Sequence, residues 1–322
     1  MTIYDYVIFH KGCFDGFSSF IILQNTRYIS KNAIIYPDVP SAKTPPPNVS
    51  GKNVIIMDVA YKVDILKIII DEAKSVTFID HHITIHDDVT ELKKMSHGKN
   101  VIVIYNEKES GASLTWKYFH KKKPMPLFVR YIKDNDIGEW KLKFTHYFLA
   151  GLETKYGTSL DSSTVQKWNG LFDTHKVKKL IKRGKIYWEY IDHLVEVNSK
   201  RYSLEQFPSE KIYEQFSDYF KKPAQYRVAV ICGSGCPNIT RLGTKMLETI
   251  DCDFVMSWSL NLDRKEYVLA FRSKEVDVGK IAGMFGGGGH TLAAACSFPA
   301  NKYNIQELFL PQSLPRQNLA RK

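Results

Sequence analysis

The stretch FHKGCFDG, residues 9 to 16, places an imidazole, a thiol and a carboxylate within six positions, at His10, Cys13 and Asp15, with Gly16 directly behind them. Further on, MDVA (57–60) supplies Asp58, and FIDHH (78–82) sets Asp80 before two adjacent histidines, His81 and His82. Imidazole and carboxylate groups gathered at one loop form a ligand set suited to Mn²⁺, Zn²⁺ or Fe²⁺. Adjacent side chains at a strand end diverge, so one histidine of the pair can face a metal while the other faces substrate. Late in the chain, FRS (271–273) carries Arg272, whose guanidinium can hold a phosphate through a bidentate fork. Four glycines, 286 to 289, and His290 follow. Such a run reads as a flexible turn or as a backbone that approaches a ligand closely and offers consecutive N–H groups to an anion.

These groups need elements to hold them. YDYVIFH (4–10), NAIIYPDV (32–39), NVIIMDVA (53–60), SVTFIDHH (75–82) and NVIVIYN (100–106) are apolar, β-rich runs separated by helical stretches such as VDILKIIIDEAK (63–74). That alternation predicts a parallel sheet with helices on both faces. Asp15, Asp58 and Asp80 each fall at or just after the carboxyl end of such a strand. Ligands of open α/β sheets bind at that edge, so the three acids can converge although dozens of residues separate them. Gly16 is expected to let the first strand turn tightly into its helix.

From 111 to 206 the pattern is mostly helical. Within it Val177, Leu180, Ile181, Gly184, Tyr187, Trp188 and Ile191 keep one apolar stripe, while Lys176, Lys178, Lys179, Lys182, Arg183 and Lys185 crowd its start. Those cations read either as a solvated face or as a phosphate-tracking surface. The fold class expected is α/β, with an N-terminal parallel-sheet catalytic domain over 1–195 and a helical linker over 196–224. A smaller C-terminal α/β substrate-binding domain follows over 225–311, and a disordered tail over 312–322.

Bulk composition narrows the partners. The 322 residues are 44% hydrophobic and 25% charged, as in a soluble globular protein, and no run approaches the ~20 apolar residues of a membrane helix. The start lacks the basic-then-apolar order of a signal peptide, so a cytoplasmic or nuclear location is expected, with no membrane partner. Five cysteines, odd in number and scattered, fit a reducing compartment; Cys232 and Cys236 lack the second pair that a structural zinc site needs. A net charge of +11 favours an anionic partner such as nucleic acid or polyphosphate.

Together with SGASLTWKYF (110–119), YIKDNDIGEW (131–140) and AFRSKEVDVGKIAGMFGGGGHTLAAACSF (270–298), these motifs resemble, in order over about residues 5 to 300, the DHH phosphoesterase superfamily. The similarity is to its RecJ-like and nanoRNase-like members, which pair a DHH domain with a DHH-associated domain. The resemblance implies a hydrolase with two divalent cations, Mn²⁺ foremost and Zn²⁺, Fe²⁺ or Mg²⁺ as alternatives, and water activated by them as the nucleophile. His10 and Asp58 would hold one metal; Asp15, Asp58, His81 and Asp136 would hold the other. Asp80 would orient a neighbouring histidine, and His82 would sit beside the scissile phosphate. Arg272, Ser273, Gly287, Gly288, Gly289 and His290 would grip the substrate. Most relatives carry an aspartate where this chain has Cys13, which either ligates metal as a thiolate or only packs nearby. Asp136 has the better register with Glu139 and Trp140, and Asp134 is the alternative. The implied substrate is a short oligonucleotide, RNA or single-stranded DNA, cleaved from one end by a monomer or homodimer. A cyclic dinucleotide, adenosine bisphosphate or polyphosphate is the alternative substrate, and a silent nucleotide-binding scaffold the alternative role.

Overall fold

The computed structural model describes residues 2–40, 42–95, 100–220 and 225–311. The apolar runs of the first third are strands: β1 (Tyr4–His10), β2 (Ile29–Asp38), β3 (Asn53–Met57), β4 (Ser75–Asp80) and β5 (Val101–Tyr105). Among the described residues they form one sheet in the order β2-β1-β3-β4-β5, parallel throughout. Parallel neighbours require crossovers, and these are made through α1 (Phe14–Gln24), α2 (Val63–Glu72) and α3 (His86–Met95). The central strands β1, β3 and β4 are buried on both faces, as β-branched runs without polar alternation demand. Phe9, Met57 and Ile79 point into one core with Phe17 and Ile21 of α1. Ile8, Ile56 and Phe78, one residue earlier on the same strands, point into a second core with Leu66 and Ile69 of α2.

Five further helices follow: α4 (Gly111–Phe119), α5 (Leu127–Asp136), α6 (Thr145–Glu153), α7 (Ser162–Asn169) and α8 (Thr174–Asn198). The helical stripe of α8 is buried at Val177, Leu180 and Gly184, while Lys178, Lys179, Lys182 and Arg183 are exposed. The crossing with α6 explains this rotation. A Cβ on Gly184 would lie 1.7 Å from the Tyr147 carbonyl oxygen, and one on Gly151 would lie 2.6 Å from that of Leu180. The two backbones touch where each helix has no side chain.

Tertiary contacts divide the chain into Met1–Trp188 and Glu189–Lys322. The second unit holds β6 (Tyr202–Phe207), α9 (Glu210–Gln215), β7 (Tyr226–Cys232), α10 (Ile239–Thr249), β8 (Phe254–Asn261), β9 (Glu266–Ser273), α11 (Val278–Met284), β10 (Gly288–His290) and β11 (Ala293–Pro299). Its described strands make a mixed sheet, order β10-β11-β9-β8-β7-β6, in which only the β7–β8 pair is parallel. The chain is therefore α/β in both units. The segment read as a linker contributes β6, an edge strand antiparallel to β7. The tail expected beyond residue 311 lies outside the described residues. No helix among the described residues is long and apolar enough to cross a membrane.

Candidate metal centre

Adjacent strands end side by side, and their ends carry the chemistry. β1 finishes at His10 and β4 at Asp80, while Asp58 follows the last residue of β3, the strand between them. Asp58 adopts φ +64, a left-handed conformation unusual for a residue with a Cβ, and its amide donates to the Ile79 carbonyl at 2.9 Å. Strain of this kind persists where surrounding structure fixes it, commonly at functional sites. Asp15 enters from the first turn of α1, and Asp136 from the end of α5.

The side chains converge closely. His81 Nε2 lies 3.1 Å from Asp58 Oδ1, 3.2 Å from Asp136 Oδ2 and 3.8 Å from Asp15 Oδ2. His10 Nδ1 lies 3.4 Å from Asp58 Oδ2. Two overlapping donor groups result, Asp15–Asp58–His81 and His10–Asp58–His82, each with its ligand atoms within 4.8 Å of one another. Asp58 belongs to both. Asp80 organises the turn: its Oδ1 accepts from the amides of His81 and His82 and lies 2.8 Å from His82 Nδ1, which fixes that ring.

So many carboxylates in a buried space disturb one another's protonation. Burial, then the charges of Asp58 and Asp136, push Asp15 well above the usual carboxylate range. Burial and Asp58 push Asp136 up to about 6. Burial acts against ionisation of Asp58 too, but the adjacent His10 and His81 imidazoles outweigh it and hold Asp58 low. Burial opposes a charge on His82, yet Asp80 raises it to about 9.

The donor atoms fit divalent metal. Among the described residues, His10 Nδ1 and one carboxylate oxygen each of Asp15, Asp58, Asp80 and Asp136 are buried without a hydrogen-bond partner. Leaving such groups unsatisfied costs free energy, and all but that of Asp80 belong to residues expected to bind metal. Gly111, the first residue of α4, closes the space around them. A Cβ there would lie 2.6 Å from Asp58 Cβ and 2.9 Å from Asp15 Oδ2. The donor set, carboxylate with imidazole, matches Mn²⁺, Fe²⁺ or Zn²⁺.

Comparison with protein-family models finds no match. An uncharacterized protein of Acanthamoeba polyphaga mimivirus is 27% identical over 314 residues, covering 92% of this chain and 68% of that protein. Among solved structures, a pGpG-specific phosphodiesterase of Vibrio cholerae matches with a TM-score of 0.50 at 14% identity, over 92% of this chain and 94% of that one. The chain shares the fold of that structure. An exopolyphosphatase-related protein of Bacteroides fragilis is also similar, with a TM-score of 0.43 at 14% identity over 91% of this chain and 86% of that one.

Within this fold, the open alternatives take definite positions. Asp134 is buried, and its carboxylate accepts from the Lys141 amide at 2.7 Å, the Leu142 amide at 3.1 Å and the Thr145 hydroxyl. It anchors the loop after α5, while Asp136 faces His81. Cys13 precedes α1 as its N-cap residue, outside both donor groups; burial and the charges of Asp58 and Asp15 push its thiol up. Gly16 permits the tight passage from β1 into α1 through its missing Cβ, and a second glycine shares the task. Gly12 takes the turn at φ +73, whereas a Cβ on Gly16 would strike His10 Cβ and its carbonyl oxygen at 2.6 Å. Gly16 thus lets α1 press against the end of β1.

In the second unit Arg272, on β9, lies over α10 against Gly243, whose Cβ would meet its Cγ at 2.7 Å. One terminal nitrogen donates to the Thr240 hydroxyl at 2.6 Å and the other to the Phe271 carbonyl at 2.7 Å, while its Nε is buried without a partner. The buried Ser273 hydroxyl donates to the Asp253 carbonyl and accepts from the Glu275 and Val276 amides, so it is engaged in holding the turn after β9. Gly287 and Gly289 press on β11, where a Cβ would lie 2.3 Å from the Ala295 oxygen and 2.6 Å from the Ala293 oxygen, respectively. Gly288 and His290 are exposed. Gly111 and Gly243 were not singled out from the sequence, because their role is an absence of volume beside a charged side chain.

Proposed function

We propose that this protein is a divalent-metal-dependent phosphodiesterase that removes nucleotides from an end of short RNA or single-stranded DNA. The observation that carries the reading is the convergence of Asp15, Asp58 and Asp136 on His81 and of His10 on Asp58, with His10 Nδ1 and one carboxylate oxygen of each of the three acids buried without a partner. His10 and Asp58 would hold one Mn²⁺ ion; Asp15, Asp58, His81 and Asp136 would hold the other. When bound, such ions supply an activated water and neutralise charge on a transferring phosphoryl group.

The chain's own groups do the rest. Asp80 takes His82 Nδ1 and leaves Nε2 of a largely protonated imidazole to donate to a phosphate oxygen. Arg272, with the glycines and His290, would bind the substrate's phosphate or terminal nucleotide, and Ser273 would support Arg272 through the turn it holds. A net charge of +11 agrees with an oligonucleotide. The similar solved enzyme named for pGpG, a linear dinucleotide, supports a substrate of that size.

The test offers oligonucleotides of graded length, a cyclic dinucleotide, adenosine bisphosphate and polyphosphate to the protein with Mn²⁺ or with chelator, beside Asp58→Ala. Mn²⁺-dependent release of mononucleotides from short linear substrates, lost in Asp58→Ala, is expected. Preference for one of the other compounds moves the substrate class. No hydrolysis of any of them rejects the enzyme reading and leaves the binding scaffold.

A further inference from the structure

Four residues past Asp136 the chain holds a tryptophan in an expensive position. Trp140 adopts φ +52, a left-handed conformation rarely taken by bulky residues. Its amide donates to the Asp134 carbonyl at 3.2 Å, and the next two amides donate to the Asp134 carboxylate. The loop is thus folded back on the last turn of α5 and fixed by a buried acid. Four residues span at most about 14 Å even when extended, and the fold-back keeps Trp140 nearer than that to the Cα of Asp136.

The ring is held as firmly as the backbone. It stacks on His146 with centroids 4.4 Å apart and planes 14° apart, and His146 stacks in turn on Trp188 at 5.0 Å and 29°. The outermost ring of this column is Trp140, 44% exposed, and no second ring covers it among the described residues. An unconstrained tryptophan would turn inward to bury its large apolar surface. Here a strained backbone and a two-ring support keep a flat, rigid face in water, and the nearest charged neighbours, Lys141 and Glu139, pair with each other at 2.9 Å.

We propose that Trp140 is a nucleobase-stacking ledge beside the metal centre, selecting substrates that carry a base over phosphate compounds that do not. Any base presents a π-face to such a platform, so stacking is tolerant of sequence and costs no hydrogen-bond readout. This rests on the phosphodiesterase reading for its role in selection, but the stacking itself requires no turnover.

The full chain in Mn²⁺ provides the test. Calorimetry measures affinity for adenosine monophosphate and for inorganic phosphate, and kinetics measure hydrolysis of an RNA dinucleotide. Trp140→Ala is expected to weaken adenosine monophosphate binding roughly 5- to 150-fold, the worth of one base–aromatic stack. Inorganic phosphate binding stays constant, and the dinucleotide loss appears in KM. Trp140→Phe, which keeps a smaller platform, restores most of the affinity and controls for a loosened loop. The proposal is overturned if wild-type protein binds the nucleotide no better than phosphate, if Trp140→Ala leaves nucleotide affinity unchanged, or if it weakens phosphate equally. Nucleotide binding that depends on Trp140 without any phosphodiester hydrolysis would retain the ledge and reject the phosphodiesterase.

Discussion

Asp136 illustrates how a site of this kind is costly to its own fold. Asp136 prefers its protonated form up to about pH 6, against 3.8 in the unfolded chain, so its contribution to stability is present below pH 3.8 and lost as pH rises through 6. His82 behaves alike at higher pH: raised from 6.5 to about 9, it stabilises below 6.5 and loses that contribution as pH rises through 9. With chelator present, the melting temperature is therefore expected to fall steadily between pH 5 and 9. Asp136→Asn should raise stability at pH 8 by roughly 1 kcal/mol, allowing for partial exposure, while abolishing the gain that added Mn²⁺ gives the wild type. Thermal denaturation of both proteins with and without Mn²⁺ measures this; an Asp136→Asn variant still stabilised by Mn²⁺ would remove Asp136 from the ligand set. The residue types of the cluster were legible as chemistry because carboxylate and imidazole at strand ends have few other uses. The choice between Asp134 and Asp136 was not. Two positions apart on a helix they face nearly opposite ways, and only the folded chain shows that Asp134 is taken up by the following loop while Asp136 lies beside His81.

At the scale of elements, closeness of backbones decides more than polarity. The strand-and-helix alternation of the first third was readable because parallel strands bury both faces and leave an unbroken apolar signature. The junctions were less so, since glycines 16, 111, 151 and 184 act by what they omit. Adding a methyl group at Gly184 would force α8 away from the Tyr147 carbonyl, 1.7 Å from the added carbon. Gly184→Ala is expected to cost about 1–3 kcal/mol or more, as overpacking does, whereas Gly157→Ala, with nothing within 4 Å, should be near neutral. Denaturant unfolding compares them directly. Gly111→Ala carries the same steric argument into the centre. Its Cβ would occupy space between Asp58 and Asp15, so Mn²⁺ affinity should drop at least tenfold, with the metal-independent melting temperature changing far less. Equal losses of both would mean that Gly111 serves helix packing alone.

Across the whole molecule, the net charge visible in the sequence turns out to be unevenly shared. Residues 1–188 carry 28 basic and 19 acidic side chains, a net +9 of the chain's +11. The unit with the candidate metal centre therefore holds most of the attraction for a polyanion. Composition alone could not assign this, because it gives no boundary; the contact division supplies one. Lys178, Lys179, Lys182 and Arg183 are the densest part of that charge, exposed on α8, and none has an ion-pair partner among the described residues. The Gly151–Gly184 crossing turns them away from the core, so charge reversal should leave the melting temperature nearly unchanged. If this face tracks a phosphate backbone, affinity for a 24-residue single-stranded RNA will fall with salt along a slope of about 0.7 per phosphate contacted. Reversing all four charges should then flatten that slope by about 0.7 for each cation in contact and weaken the long oligonucleotide, while KM for a dinucleotide, too short to reach beyond the centre, stays constant. Anisotropy titrations from 50 to 300 mM salt read both quantities. An unchanged slope would make the face a solvated covering of α8 and place the polyanion attraction elsewhere in the first unit.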